Sequence, residues 1–494
     1  MKRIYLLLAV GLFLWGEGKA QNETPVVDLS LPEAIRLAQL QSVDAAVALN
    51  ELKTAYWEYR THRADQLPEV TFSGSLPNYY QRYNKYQKED GSYTFVKNNS
   101  LELNGELSVK QNIALTGGQI ALNSDLSFTR QLGTGAFNEY MSVPIGLTLT
   151  QPIFGTNHQK WRRRIEPVRY KEAKAAYMES VEEVTIRTIN YFFNLLQAQE
   201  TLRNAGQNLE NAHKLYDIAI AKRQIGHISE MELMRLKQSA LQAESAHTAA
   251  QSNLNAQMFQ LRAFLGLSEQ ETIQPLVPEF APSLSLDYKE VLEMALENNA
   301  FAKNILRRQM EAEYNVATAK GNQRSIELFA SIGYTGKDQA MRGAYRDLMD
   351  NQIVEVGVTI PLLDWGKRKG QVKVAESNRD VVLSRIRQEQ MHFNQNIYLW
   401  VERFNNQAEQ LRIAAEVDQL AEKRYQTSIE TFMVGKISIL DLNDAQNSKD
   451  NARAQHISEL YYFWNYYYNI RSLTLYDFFN RRTLDADFEA LVRN

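Results

Sequence analysis

The 494-residue chain contains no cysteine. That absence excludes disulfides, thiolate metal sites, a cysteine nucleophile and a lipid-modified amino-terminal cysteine. Beyond residue 20 no window approaches 18 consecutive apolar residues, which excludes a helical membrane protein on hydropathy. Tilted, alternating strands cross a membrane without such a run, so that route stays open. The seven histidines are scattered without metal-ligand spacing. A glycine-rich phosphate loop, a nucleophile elbow and a close carboxylate pair on strand ends are also missing. No cofactor, metal site or catalytic residue is therefore expected, and the sequence shows no motif for using nucleotide energy. Excess positive charge is lacking too: the formal charge is −3, and a nucleic-acid partner is not expected.

What is present begins with an export signal. Lys2 and Arg3 precede an apolar run at 4–15, followed by the small-residue exit Gly18, Lys19, Ala20. Residues 1–20 read as a signal peptide cleaved after Ala20, since the run is too short to span a bilayer. Removing it takes away Lys2, Arg3 and Lys19 against Glu17, so the net charge goes from −3 to −5.

The remainder is a duplication. Leu31-Pro32-Glu33-Ala34-Ile35-Arg36-Leu37-Ala38 recurs as Tyr288-Lys289-Glu290-Val291-Leu292-Glu293-Met294-Ala295, an offset of 290 − 33 = 257. Tyr216, Gly226, Ile228, Ser229, Leu233 and Ala243 return as Tyr425, Gly435, Ile437, Ser438, Leu442 and Ala452, each displaced by 209. Ile145-Gly146-Leu147-Thr148-Leu149 and Pro152-Ile153-Phe154 match the stretch Val356 to Leu363. Each half therefore reads helix, strands, long helix, turn, long helix.

About residues 165–224 are rich in Ala, Glu, Gln, Lys and Leu, with apolar residues three and four apart. At 1.5 Å per residue such a helix is roughly 90 Å long, and its copy at 367–433 about 100 Å. A coiled coil or a barrel of helices uses that length, whereas a single globular core does not. At the turns, Gly226 and Gly435 end one helix, and Ser229 and Ser438 cap the next.

Elsewhere the apolar residues alternate. Val70 and Phe72 open one strand region; Leu101 to Val109, Ile120 to Phe128 and Ile145 to Ile153 follow. In the second half Leu328, Ala330, Ile332 and Tyr334 alternate opposite Ile353 to Ile360. A lipid-facing barrel needs this period, and a water-soluble sandwich produces it as well.

With these motifs in order, the chain resembles the TolC-like outer-membrane efflux proteins over nearly all of its mature length. The resemblance rests on the Leu31 opening and its copy. It rests also on the passages Gln151-Pro152-Ile153-Phe154-Gly155 and Ile360-Pro361-Leu362-Leu363-Asp364-Trp365-Gly366, and on the second tip from Phe432 to Ala445. It implies an α+β membrane protein: a trimeric outer-membrane β-barrel continued by a long periplasmic α-helical barrel of antiparallel coiled-coil hairpins. In that scheme residues 21–69 are an entry helix, 70–155 strands, 156–266 a helical hairpin with its tip near 225–229, and 267–285 a linker. Then come an entry helix at 286–326, strands at 327–363, a second hairpin at 364–475 with its tip near 434–438, and a tail at 476–494. The departure lies at 70–154, which holds about four alternating stretches where a family half needs two strands, with Thr116-Gly117-Gly118 as an added turn. Either the barrel is larger or a hairpin folds elsewhere.

The resemblance implies a passive exit duct in the outer membrane of a Gram-negative bacterium. Its partners would be two further copies of itself, outer-membrane lipid, a periplasmic adaptor and, through the adaptor, an inner-membrane pump of RND or ABC type. Asp441 and Asp444 share a helix face and would form two carboxylate rings near a threefold axis, excluding anions; the bland alternative is two solvated positions at a helix start. Glu232 and Arg235 occupy the equivalent first-half places, Phe432 lies beside the second tip, and an Asp444–Arg235 latch is one possible pairing. Gly226, Ile228, Ser229, Gly435, Lys436, Ile437 and Ser438 match the adaptor contact region, or are simply capped turns. Trp161, Arg162 and Arg163, with Trp365, Lys367 and Arg368, suit a periplasmic membrane interface. The rival reading is an exported coiled-coil structural or adhesive protein with a small β domain and no pore.

Overall fold

A computed structural model of the chain describes residues 26–133, 135–268, 271–278, 284–323, 326–357, 364–434 and 436–493. The signal peptide, the Ile360 to Leu363 motif and Gly435 lie outside the described residues.

In chain order the elements are β1 (Val26–Leu29), α1 (Leu31–Gln41), α2 (Val43–Ala64), β2 (Glu69–Gly74), β3 (Asn78–Gln87), β4 (Tyr93–Ile113), β5 (Gly118–Gln131) and β6 (Phe137–Ile153). Then follow α3 (His158–Gln224), α4 (Glu230–Leu265), β7 (Thr272–Pro275), α5 (Tyr288–Asn298), α6 (Ala300–Gln323), β8 (Ile326–Asp338) and β9 (Leu348–Gly357). Last come α7 (Lys367–Met433), α8 (Ile439–Thr474), β10 (Tyr476–Asp477), β11 (Arg482–Thr483) and α9 (Phe488–Arg493).

The long helices α3 and α7 have 67 residues each. The entry helices, expected as single pieces, are each broken once, at Ser42 and at Asn299. Both breaking residues are extended, with ψ of 148° and 150°, and both donate their N–H to the carbonyl four residues back, on Ala38 and Ala295. Their separation, 299 − 42 = 257, equals the sequence repeat, so the break belongs to the duplicated unit. The linker at 267–285 also carries a strand, β7.

The contacts divide the chain into two compact units. One comprises Met1–Ser42, Arg187–Ala281 and Ile413–Tyr461. Here β1 pairs in parallel with β7, and α1 packs on α4. Phe192, Leu195 and Leu196 of α3 are fully buried, as the apolar spacing requires. Polar groups pin the helices laterally. Buried Lys449 of α8 reaches Gln207 of α3 at 3.2 Å and lies 4.7 Å from the Tyr425 ring of α7. Asp418 of α7 holds Arg453 and His456 of α8 at 3.1 and 3.0 Å.

The other unit comprises Val43–Ile186, Pro282–Arg412 and Tyr462–Asn494. Its sheet runs β2-β4-β5-β6-β8-β9, antiparallel throughout, with β3 also paired to β4. β2 pairs with 105–110 of β4 and β3 with 93–102, so the two share one lane broken at 75–77. The helices lie in the same lateral order. α2 meets α3 through stacked Tyr59 and Tyr170 at 4.9 Å, and Asp65, just after α2, pairs with Arg162 at 3.0 Å. α3 meets α6 through Glu172–Arg307 at 2.6 Å, and α6 meets α7 through Arg308–Glu389 at 2.5 Å. In the chain α2 precedes β2 and α3 follows β6 within a few residues.

Candidate functional site

The strand register sorts the side chains into two faces. Phe72 lies opposite Leu107, and Val109, Leu122, Leu147 and Ile332 form a row across four strands. Phe72, Leu107, Leu122, Leu147 and Ile332 are all exposed, which water alone would penalise. The opposite face is mainly polar across β4 and β5 and carries Thr148 and Ser331 on β6 and β8. Ser127 donates to Asn104 at 2.7 Å, Ser108 to Asn123 at 3.2 Å, and Thr148 meets Ser331 at 3.4 Å. Glu106 and Asp125 stand directly opposite one another on that face, an arrangement that repels unless the groups face water. Apolar-out and polar-in alternation on an antiparallel sheet is the pattern of a membrane barrel wall.

At the strand-to-helix junctions the expected aromatic and basic residues are present, with distinct partners. Trp161 is half-buried, its ring 5.8 Å from Tyr314, with Arg164 5.4 Å above it. Arg162 is committed to Asp65, whereas Arg163 is exposed. Trp365 is 89% exposed, Lys367 is exposed, and Arg368 donates to the Gln323 carbonyl at 3.3 Å. Two further exposed apolar residues lie near these junctions and were not assigned to the interface from sequence: Phe154, 71% exposed and part of the Gln151 to Gly155 passage, and Leu115 at the β4–β5 turn. The Phe-Gly and Trp-Gly dipeptides that end the strand regions were the available signal.

Both hairpin tips fall within the first unit. Gly226 has φ of +80°, and the N–H groups of Gly226 and His227 return to the carbonyls of Arg223 and Lys222 at 3.0 and 2.9 Å. These are the two bonds of a Schellman helix stop. Ser229 then caps α4 by accepting from the Glu232 N–H at 3.2 Å. At the second tip Lys436 makes the equivalent long bond to Thr431, 3.1 Å. Ser438 and Asp441 form a capping box: the Asp441 carboxylate accepts from the Ser438 N–H and hydroxyl at 3.0 and 2.7 Å. Those bonds hold the Asp441 carboxyl below the usual carboxylate range.

Asp444 does not pair with Arg235 within the protomer. It accepts from Arg424 of its own hairpin, on α7, at 2.5 Å, because antiparallel helices bring positions 20 apart side by side. Glu232 and Arg235 are exposed, Phe432 is half-buried, and Ile228 and Ile437 are half-buried beside exposed Lys436 and Ser438. Around the tips Ile225, Met231, Met234, Val434 and Leu440 are all more than half exposed.

The outer membrane efflux protein family matches the chain at residues 34–267 and 291–463, once in each half. No curated protein matches by sequence. Among solved structures, the CmeC outer membrane channel of Campylobacter jejuni is similar at a TM-score of 0.65 and 16% identity, covering 94% of this chain and 88% of that one. The MtrE outer membrane channel of Neisseria gonorrhoeae in its open state gives 0.59 and 13%, covering 92% and 91%. The outer membrane protein VceC of Vibrio cholerae gives 0.56 and 14%, covering 90% and 95%. At these identities the structures speak for the fold, and the family match speaks for the rest. Matched over most of both halves, the chain belongs to the outer membrane efflux protein family, whose members are trimeric outer-membrane channels with long periplasmic helices.

Proposed function

We propose that the chain is the passive exit duct of a tripartite efflux or secretion system, gated at its periplasmic helical tips and catalysing no reaction. The observation that carries this reading is the two-faced sheet with an open edge on either side, β2 with β3 at one end and β9 at the other. In hydrocarbon each unpaired backbone group costs several kcal/mol, so an open edge must find a strand from another copy. Three copies set edge to edge turn the polar face inward around water and the apolar face toward lipid. α2, α3, α6 and α7 then continue the wall below.

In the trimer Asp441 and Asp444 would repeat around the axis as two carboxylate rings that favour cations. Glu232, Arg235 and Phe432 would line the same constriction from the neighbouring helices. The tips, read from sequence as Gly226, Ile228, Ser229, Gly435, Lys436, Ile437 and Ser438, would offer a periplasmic adaptor a small apolar surface that includes the exposed Met231, Met234 and Leu440. The adaptor would couple the duct to an inner-membrane pump, which supplies the energy. Trp161, Arg162, Arg163, Trp365, Lys367 and Arg368 would mark the periplasmic interface of the outer membrane.

Planar-bilayer conductance of purified trimer tests this reading, comparing the natural protein with Asp441→Ala plus Asp444→Ala. Small cation-selective currents that grow and lose selectivity in the variant support it. Folded trimer that neither inserts nor conducts overturns it.

A further inference from the structure

The resemblance implies two strands from each half, four per protomer, yet the sheet has six lanes. We infer that all six enter the membrane wall, so that three copies close an 18-strand barrel on the same helical tunnel; this rests on the trimeric-channel reading.

The additional hairpin is built into the wall at every point the structure describes. β4 and β5 are laddered to one another over 100–113 and 118–131, and β5 is laddered in turn to β6. At the periplasmic end the β4–β5 turn is clamped to both helix junctions. Asn157, just before α3, donates to the carbonyls of Ala114 and Leu115 at 3.0 and 3.1 Å. Gln111 and Asn112 donate to the carbonyls of Gln66 and Asp65, just after α2, at 3.0 and 3.2 Å. A hairpin folded elsewhere would break these bonds and strip the edge of β6.

Length and direction agree. β4, β5, β6, β8 and β9 have 21, 14, 17, 13 and 10 residues, and β2 with β3 has 6 + 10 = 16. A spanning strand needs about 9–11. On the same face Val70, Val109, Leu122, Leu147 and Ile332 form one row across β2, β4, β5, β6 and β8, with Phe72 and Leu107 beside it, so the added lanes present lipid-compatible side chains in the same plane as the rest. Five antiparallel steps leave β9 antiparallel to β2, so the next copy's β2 and β3 continue the alternation without a parallel seam. With strands about 4.8 Å apart and tilted about 40°, 18 strands enclose a backbone ring about 36 Å across, against about 24 Å for 12. The membrane section is then half again as wide.

Electron cryomicroscopy of the trimer in lipid nanodiscs counts the strands. Eighteen strands in one closed wall is the expected result. A trimer whose barrel has 12 strands, with the β4–β5 hairpin or with β2, β3 and β4 outside it, overturns this inference and leaves the channel reading standing. A trimer with no barrel overturns both. A second measurement uses the absence of native cysteine. Met349→Cys on β9, combined with Thr71→Cys or Ser73→Cys on β2, lies on the polar face and should link copies into a covalent trimer on oxidation. Linkage of Met349→Cys to Ser127→Cys on β5, with none to β2, argues against six lanes.

Discussion

Phe154 and Trp365 share a backbone conformation that aromatic residues seldom adopt. Each lies in the left-handed region, φ +63° and +52°, each is followed by a glycine, and each is exposed where a strand region gives way to a long helix. Left-handed geometry costs a residue with a β-carbon roughly 1–2 kcal/mol. Strain retained twice, at equivalent passages, with the ring pointing into solvent, fits an aromatic anchor at a membrane interface.

Replacing both with glycine should therefore separate backbone from anchor. The double variant Phe154→Gly, Trp365→Gly is expected to keep or slightly raise its melting temperature in detergent and to insert less into lipid vesicles. Flotation of vesicles beside a detergent melt checks both halves. Equal insertion would remove the anchoring role.

Arg424 is expected to restrain the tip. Its pair with Asp444 is exposed on both sides, 54% and 67%, so breaking it should change stability by no more than about 1 kcal/mol. Arg424→Ala should still raise single-channel conductance, because it frees α8 from α7 near the tip. Asp441→Ala should act differently, loosening the first turn of α8, which hydrogen exchange at 438–442 detects.

Glu182 gives the helices a pH dependence. It is 1% exposed, and burial pushes its carboxyl to about 7 despite Arg471 at 3.2 Å; one of its oxygens has no hydrogen-bond partner. The folded state thus favours the protonated form. That contribution is fully present below the ordinary value of 4.5 and is lost as pH rises through about 7. Glu182→Gln should melt higher than the natural protein at pH 8 and alike at pH 5, since Asp477 still faces Arg471 at 3.7 Å. Arg471→Leu should destabilise the protein more at pH 8 than at pH 5, because at low pH Glu182 is protonated and needs no counter-charge.

The facing carboxylates Glu106 and Asp125 should colour the pore itself. Glu106→Gln with Asp125→Asn is expected to lower cation preference, read as a reversal potential nearer zero in a salt gradient, without loss of trimer. An unchanged potential would mean that selectivity resides at the tips alone.

Much of this molecule was legible along the chain. The offsets of 257 and 209 marked the duplication, and the glycine and serine spacing marked the tips, because helix stops and caps are local devices carried by single residue types. Period-two alternation announced strands for the same reason: it depends only on which side of one strand each residue faces. The breaks at Ser42 and Asn299 left no local mark, since neither residue forbids a helix.

What neighbouring strands and helices share could only be decided in three dimensions. No spacing could say that β2 and β3 fill one lane, that the added hairpin joins the sheet through Asn157, or that Asp444 faces Arg424. Those pairings join positions 20 to more than 40 apart. Periodicity within an element fixes a residue's face, while its partner is set by how the elements pack.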